Sequence, residues 1–143
     1  MTEPVSAPDS NPIPVPIPIL IVDDDPSEIE LLSLAFEENH MAVLLQTARD
    51  GKGALSVLQG QQPRLAMIDI KMPLMNGFEL LQAIRADPRT RGLTVIIMST
   101  SGAESDRRQA RELGAVRYWQ KPPHFHELVA MVLELKPLLT RQT

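Results

Sequence analysis

The chain has 143 residues, 43% hydrophobic and 22% charged, with a formal net charge of −4 and no cysteine. That composition fills one globular domain, excludes disulfide frameworks and cysteine-based zinc or redox sites, and argues against a phosphate-tracking nucleic-acid binder. Its apolar runs are far shorter than the ~20 residues of a membrane helix, and MTEPVSAPDS lacks a basic region followed by an apolar stretch, so the expectation is a cytoplasmic protein with no membrane partner.

In chain order, Pro4, Pro8, Pro12, Pro14, Pro16 and Pro18 come first. They disfavour helix or central strand, so residues 1–16 read as a proline-rich flexible leader with local polyproline II character. A folded unit is expected over 17–140, with 141–143 as a tail. Ile19-Leu20-Ile21-Val22 is a buried strand running into acid. Residues 27–39 carry Ile29, Leu32 and Phe36 at helical spacing, capped by Asp25 or Ser27 with Pro26 in the first turn. Residues 42–46 read as a strand and 53–59 as a helix. Leu65-Ala66-Met67-Ile68 is a third strand ending at Asp69, followed by a helix over 78–86. Between them, Met72-Pro73 and Asn76-Gly77 form a loop with a positive-φ turn at Gly77. Val95-Ile96-Ile97-Met98 ends at Ser99; a helix follows over 104–113, a strand over 116–120, and a last helix over 125–136 stopped by Pro137.

Five aliphatic strands alternating with five helices predict an α/β, doubly wound, five-stranded parallel sheet covered on both faces. All strand C-termini of such a sheet lie on one edge, where ligands bind. That edge collects Asp23, Asp24 and Asp25 from the first strand, Asp69 from the third, Ser99, Thr100 and Ser101 from the fourth and Lys121 from the fifth. One aspartate after a buried strand is ordinarily a helix cap or turn residue. Asp23, Asp24, Asp69, Ser99 and Lys121 on a single edge form a site instead. Gathered carboxylates need a cation; hard oxygen ligands without nearby cysteine or histidine select Mg²⁺ or Mn²⁺. A lysine and a hydroxyl beside that metal suit an anion, as in phosphoryl transfer.

At LIVDDDP (20–26), LAMIDIKMPLMNGFELL (65–81), VIIMSTS (95–101) and YWQKPP (118–123) the chain resembles the receiver domain of bacterial two-component response regulators. The resemblance runs from about residue 17 to 135. It implies the flavodoxin-like receiver fold, strand order 2-1-3-4-5. It implies that Asp69 is the phosphoacceptor for a sensor histidine kinase, and that Asp23, Asp24, Asp69 and the backbone carbonyl of Lys71 hold the metal. Ser99 and Lys121 would bind the phosphoryl group, Ser99 and Tyr118 would form the switch, and the Lys121–Pro122 bond would be cis. The segment at 86–93 and the Ser99–Ser101 run also resemble single-domain regulators that accompany phytochrome-type histidine kinases; Pro123, where many receivers carry an aromatic, departs from the pattern.

The expected function is therefore a stand-alone receiver. Its output would be a partner contact on the face of the fourth helix, fifth strand and fifth helix, a homodimer through that face, or onward transfer to a histidine phosphotransfer protein. A Mg²⁺-dependent aspartyl phosphatase is the alternative, although Lys71 stands where such enzymes generally carry a second aspartate; a constitutive binding receiver is another. His40, His124 and His126 read as exposed or capping residues, and Arg107, Arg108 and Arg111 as a solvated basic face. Trp119 is expected to alternate outward from Tyr118, and Met131 and Leu135 belong to an apolar arc too broad for one buried face, so all three are interface candidates.

Overall fold

The computed structural model describes residues 15–140. The leader, except Val15 and Pro16, and the 141–143 tail lie outside the described residues. In order, the elements are β1 (Ile17–Val22), α1 (Pro26–Glu38), β2 (Val43–Ala48), α2 (Gly51–Leu58), β3 (Leu65–Asp69), α3 (Gly77–Ala86), β4 (Thr94–Ser99), α4 (Glu104–Glu112), β5 (Arg117–Gln120), α5 (Phe125–Leu133) and α6 (Lys136–Thr140). The sheet is wholly parallel in the order β2-β1-β3-β4-β5.

Side chains alternate across the three central strands and are buried on both faces. Leu20, Val22, Ala66, Ile68, Val95 and Ile97 pack against α2 and α3 on one side. Ile19, Ile21, Leu65, Met67, Ile96 and Met98 pack against α1 and α5 on the other. This two-sided demand is why these strands read as unbroken aliphatic runs. Each fully buried valine, leucine, isoleucine or methionine among them is worth about 1.5–3 kcal/mol of transfer free energy.

Local chemistry sets the helix starts. Asp25 caps α1 by accepting from the Ser27 N–H at 2.9 Å, with Pro26 at the first position. Asp50 caps α2 through the Gly53 N–H. Asn76 and Glu79 form a reciprocal capping box on α3.

Several expectations need correction. Pro18 lies inside β1. Its carbonyl accepts from the Arg64 N–H at 2.8 Å, but the ladder to β3 starts only at Ile19 opposite Leu65, so the missing proline N–H faces no strand partner. Pro137 does not stop a helix: α5 ends at Leu133, and Pro137 sits in the first turn of α6, where no intrahelical N–H is needed. Gly77 has no positive φ; the left-handed residue of that loop is Leu74, at φ 70°. No described peptide bond is cis, Lys121–Pro122 included.

Trp119 is buried, 5% exposed, in the cluster with Met98, Val132 and Leu135. Pointing away from Tyr118 on β5 means pointing under α5, because the sheet is covered on both sides. Leu135 is fully buried beside Leu139 of α6. Neither residue can form an interface. Met131 is half-buried and lines an apolar cavity of about 560 Å³ between α1 and α5. Most of the broad apolar arc is thus spent inside the fold, on the sheet, α1 and α6, while Phe125 and Leu133 stay exposed.

Candidate functional site

Four strand ends deliver the site. Asp23 and Asp24 follow β1, Asp69 closes β3, Ser99 closes β4 and Lys121 follows β5. Backbone bonds fix the edge: the Ile70 N–H donates to the Met98 carbonyl at 3.0 Å, and the Lys121 N–H to the Ser99 carbonyl at 2.7 Å. Gly77 lets α3 start against this edge. A Cβ there would collide with the Asp69 carbonyl oxygen and Ile70 Cα, and the Gly77 N–H donates to the Ile70 carbonyl at 2.8 Å. Its glycine is needed for close approach, not for a turn.

Asp23 and Asp69 are buried, while Asp24 is exposed. One carboxylate oxygen from each of the three lies within 4.8 Å of the others. Lys121 reaches in and places Nζ 2.8 Å from Asp69 Oδ1, 3.0 Å from Asp23 Oδ2 and 3.6 Å from Glu28 Oε1. One ammonium thus serves several carboxylates. Burial pushes the Asp69 carboxyl above the usual aspartate range; the Lys121 hydrogen bond and charge pull it down, and the charges of Asp23 and Asp24 add to the push. Burial alone would lower the Lys121 pKa, but the hydrogen bond with Asp69 and the charges of Asp23 and Asp69 overcome it and raise it. The two directions agree physically: the cation collects every partner, while the carboxylates share one cation.

The carboxylates are thus left short of positive charge, and their all-oxygen donor set fits a hard divalent ion. Asp23 holds its geometry by accepting from the Asp25 N–H at 3.0 Å, which leaves Oδ2 to Lys121. Asp25 belongs to the helix cap instead: the Ser27 N–H holds its carboxyl below the usual range. Lys71 is exposed on the wall of the same cavity, of about 250 Å³. Ser99 is buried, and its Oγ accepts from the Ser101 N–H at 3.0 Å.

Tyr118 is half-buried on the opposite face of β5 from Trp119. Its hydroxyl donates to the Ser101 carbonyl at 2.7 Å. His124 and His126 are exposed and stacked, 5.7 Å between ring centroids, outside the acidic cluster. Among residues not foreseen, Glu28 in the first turn of α1 joins the site through Lys121. Its signal in the sequence was an acid four residues after Asp24, one turn into a helix that starts at the site's edge.

The chain is 36% identical over 112 residues to an uncharacterized 14.6 kDa protein of Leptolyngbya boryana, covering 78% of this chain and 84% of that one. It is similar in structure to the Mn(2+)-bound form of the response regulator Rcp1, with TM-score 0.78 and 27% identity over 90% of this chain and 98% of the other. It is also similar to the phosphorylated cyanobacterial phytochrome response regulator RcpA, with TM-score 0.81, 25% identity and the same coverages. No described helix is long and apolar enough to cross a membrane. Residues 19–133 match the family model of the response regulator receiver domain, and the chain belongs to that family.

Proposed function

We propose that this chain is a stand-alone response regulator that accepts a phosphoryl group from a sensor histidine kinase on Asp69. The observation that carries the reading is the convergence of Asp23, Asp24, Asp69 and Lys121 from three strand ends into one cluster. An Asp69 carboxylate oxygen attacks phosphorus, the bond to the donor histidine nitrogen breaks, and the imidazole keeps the electron pair. Asp23, Asp24, Asp69 and the Lys71 carbonyl would hold Mg²⁺ or Mn²⁺, which would offset charge between phosphoryl oxygens and carboxylate. Lys121 pairs with one phosphoryl oxygen, and the Ser99 hydroxyl donates to another.

Recruiting Ser99 pulls on the β4–α4 loop and frees space for Tyr118 to turn inward. The face of α4, β5 and α5 then changes its packing, a shift between two populations. Output follows as a contact with a downstream protein, dimerisation through that face, or transfer to a histidine phosphotransfer protein. A kinase partner of the phytochrome type is favoured by the likeness to RcpA, whose name carries that pairing.

The test is phosphotransfer from a panel of autophosphorylated histidine kinases. One kinase should transfer far faster than the rest, and a chelator should stop it. Equal, slow transfer from every kinase, or transfer indifferent to chelator, would contradict the reading.

A further inference from the structure

Leu74 is fully exposed, the most exposed large apolar side chain among the described residues. Its backbone is left-handed, at φ 70°. A residue with a Cβ is disfavoured there, and glycine or asparagine is the ordinary occupant. The Met75 N–H donates to the Pro73 carbonyl at 2.7 Å, which closes a three-residue turn around Leu74. With a positive φ at its centre, this is the rare and strained form of such a turn. An apolar side chain thus stands in water on backbone that suits it poorly. Folding gains nothing from leucine at this position, and an outlier of this kind points to function.

The loop around Leu74 is braced. Met72 is buried in the core cluster and Met75 packs against it. Gly51 leaves room for Met75, whose side chain a Cβ there would overlap. Asn76 and Glu79 fix the start of α3 through their capping box. The Gly77 N–H closes the base of the loop on the Ile70 carbonyl at 2.8 Å. Residues on both sides of Leu74 are therefore anchored inward, and Leu74 alone is held out. A side chain presented on a braced loop loses little backbone freedom when a partner covers it.

Its place in the fold indicates the partner. Asp24, Ile70, Lys71, Met72, Pro73 and Asn76 line an open cleft beside the loop. Asp24 and Lys71 also line the cavity that holds Asp69, and Leu74 does not. A small phosphodonor that enters this cavity has no need of Leu74. A protein that brings a phosphohistidine to Asp69 must cover the carboxyl edge of the sheet, and this loop with it. We propose that Leu74 is a docking residue for the phosphodonor kinase, seated in an apolar recess beside the kinase's phosphohistidine. This rests on the proposed function above and deepens it, by naming a side chain of this protein that selects the donor.

The experiment compares the full-length wild type with Leu74→Asn, Leu74→Gly and Leu74→Met. Each is phosphorylated by acetyl phosphate with Mg²⁺ and, separately, by the kinase that transfers fastest to the wild type in the panel described above. Asparagine suits left-handed backbone and removes exposed apolar surface, so Leu74→Asn should unfold at no lower urea than wild type. Its rate with acetyl phosphate should be unchanged. Its rate of transfer from the kinase should fall about tenfold, the scale set by one lost leucine burial. Leu74→Gly should slow likewise. Leu74→Met keeps an apolar side chain of similar volume and should retain most of the rate.

Transfer from the kinase to Leu74→Asn at the wild-type rate would overturn the docking role. So would an equal loss with both donors, because the residue would then shape the site and not the kinase contact. A methionine variant as slow as the asparagine variant would overturn it as well. A panel in which no kinase prefers the wild type would overturn the kinase reading and the docking role with it.

Discussion

Lys121 Nζ lies 2.8 Å from Asp69 Oδ1, closer than to Asp23 or Glu28, although it enters from the edge strand two places away in the sheet. In the proposed reaction the same ammonium would meet a phosphoryl oxygen on Asp69. In the resting protein it is held by the carboxylates that phosphorylation and metal binding would redistribute.

Removing that ammonium should therefore cost stability. Lys121→Ala leaves Asp23 and Asp69 buried without their cation, and should destabilise the metal-free protein by ~1–3 kcal/mol in urea unfolding. Added Mg²⁺ should recover much of the loss by binding the folded state. A variant as stable as wild type without metal would show that the ion pair is not a structural contact.

Asp69 has a folded-state pKa above its ordinary value. A raised carboxylate contributes stability that is present below its unfolded pKa and lost as pH rises through the folded pKa. At pH 7, without divalent metal, ionised Asp69 thus costs stability, and Asp69→Asn should raise the melting temperature. Below the unfolded pKa of Asp69 the two proteins should converge. A variant less stable than wild type at pH 7 would reverse the sign.

Metal binding should follow the same titration. The Asp69 proton competes with the ion, so Mg²⁺ affinity should fall as pH drops through a value above the ordinary aspartate range. Isothermal titration from pH 7 to pH 4.5 reads this directly, and flat affinity across that range would place the ion elsewhere.

Gly77→Ala pushes a Cβ into the Asp69 carbonyl oxygen and Ile70 Cα, both backbone. The start of α3 must shift, at about 1–3 kcal/mol, and the end of β3 that carries Asp69 with it. The variant should unfold at lower urea and accept phosphoryl more slowly; an unchanged midpoint would mean the loop yields freely.

Trp119→Ala distinguishes core from interface. Burial under α5 predicts a loss of about 3–5 kcal/mol, independent of protein concentration. A loss that appears only where a dimer dissociates would return Trp119 to a surface role.

Much of this was legible in the residues because the parallel sheet is buried on both faces. Ile19 to Val22, Leu65 to Ile68 and Val95 to Met98 leave no polar alternation to confuse their reading, and each ends at a site residue. What resisted was set by tertiary geometry. Pro18 is tolerated because β3 starts one register step later. Pro137 starts a helix instead of ending one. Gly77 serves a close backbone approach, which composition cannot separate from a turn. Trp119 faces a helix whose placement over β5 no local pattern records. Glu28 reads as an ordinary first-turn acid until Lys121 is placed beside it.

The central claim is tested most directly by incubating the protein with acetyl phosphate and Mg²⁺, then reducing with borohydride and mapping the modified residue by mass spectrometry. The account predicts one phosphoryl group per chain, at Asp69, absent from Asp69→Asn and abolished by chelator. Stoichiometric labelling of another residue in the wild type, or labelling that persists in Asp69→Asn, would contradict it.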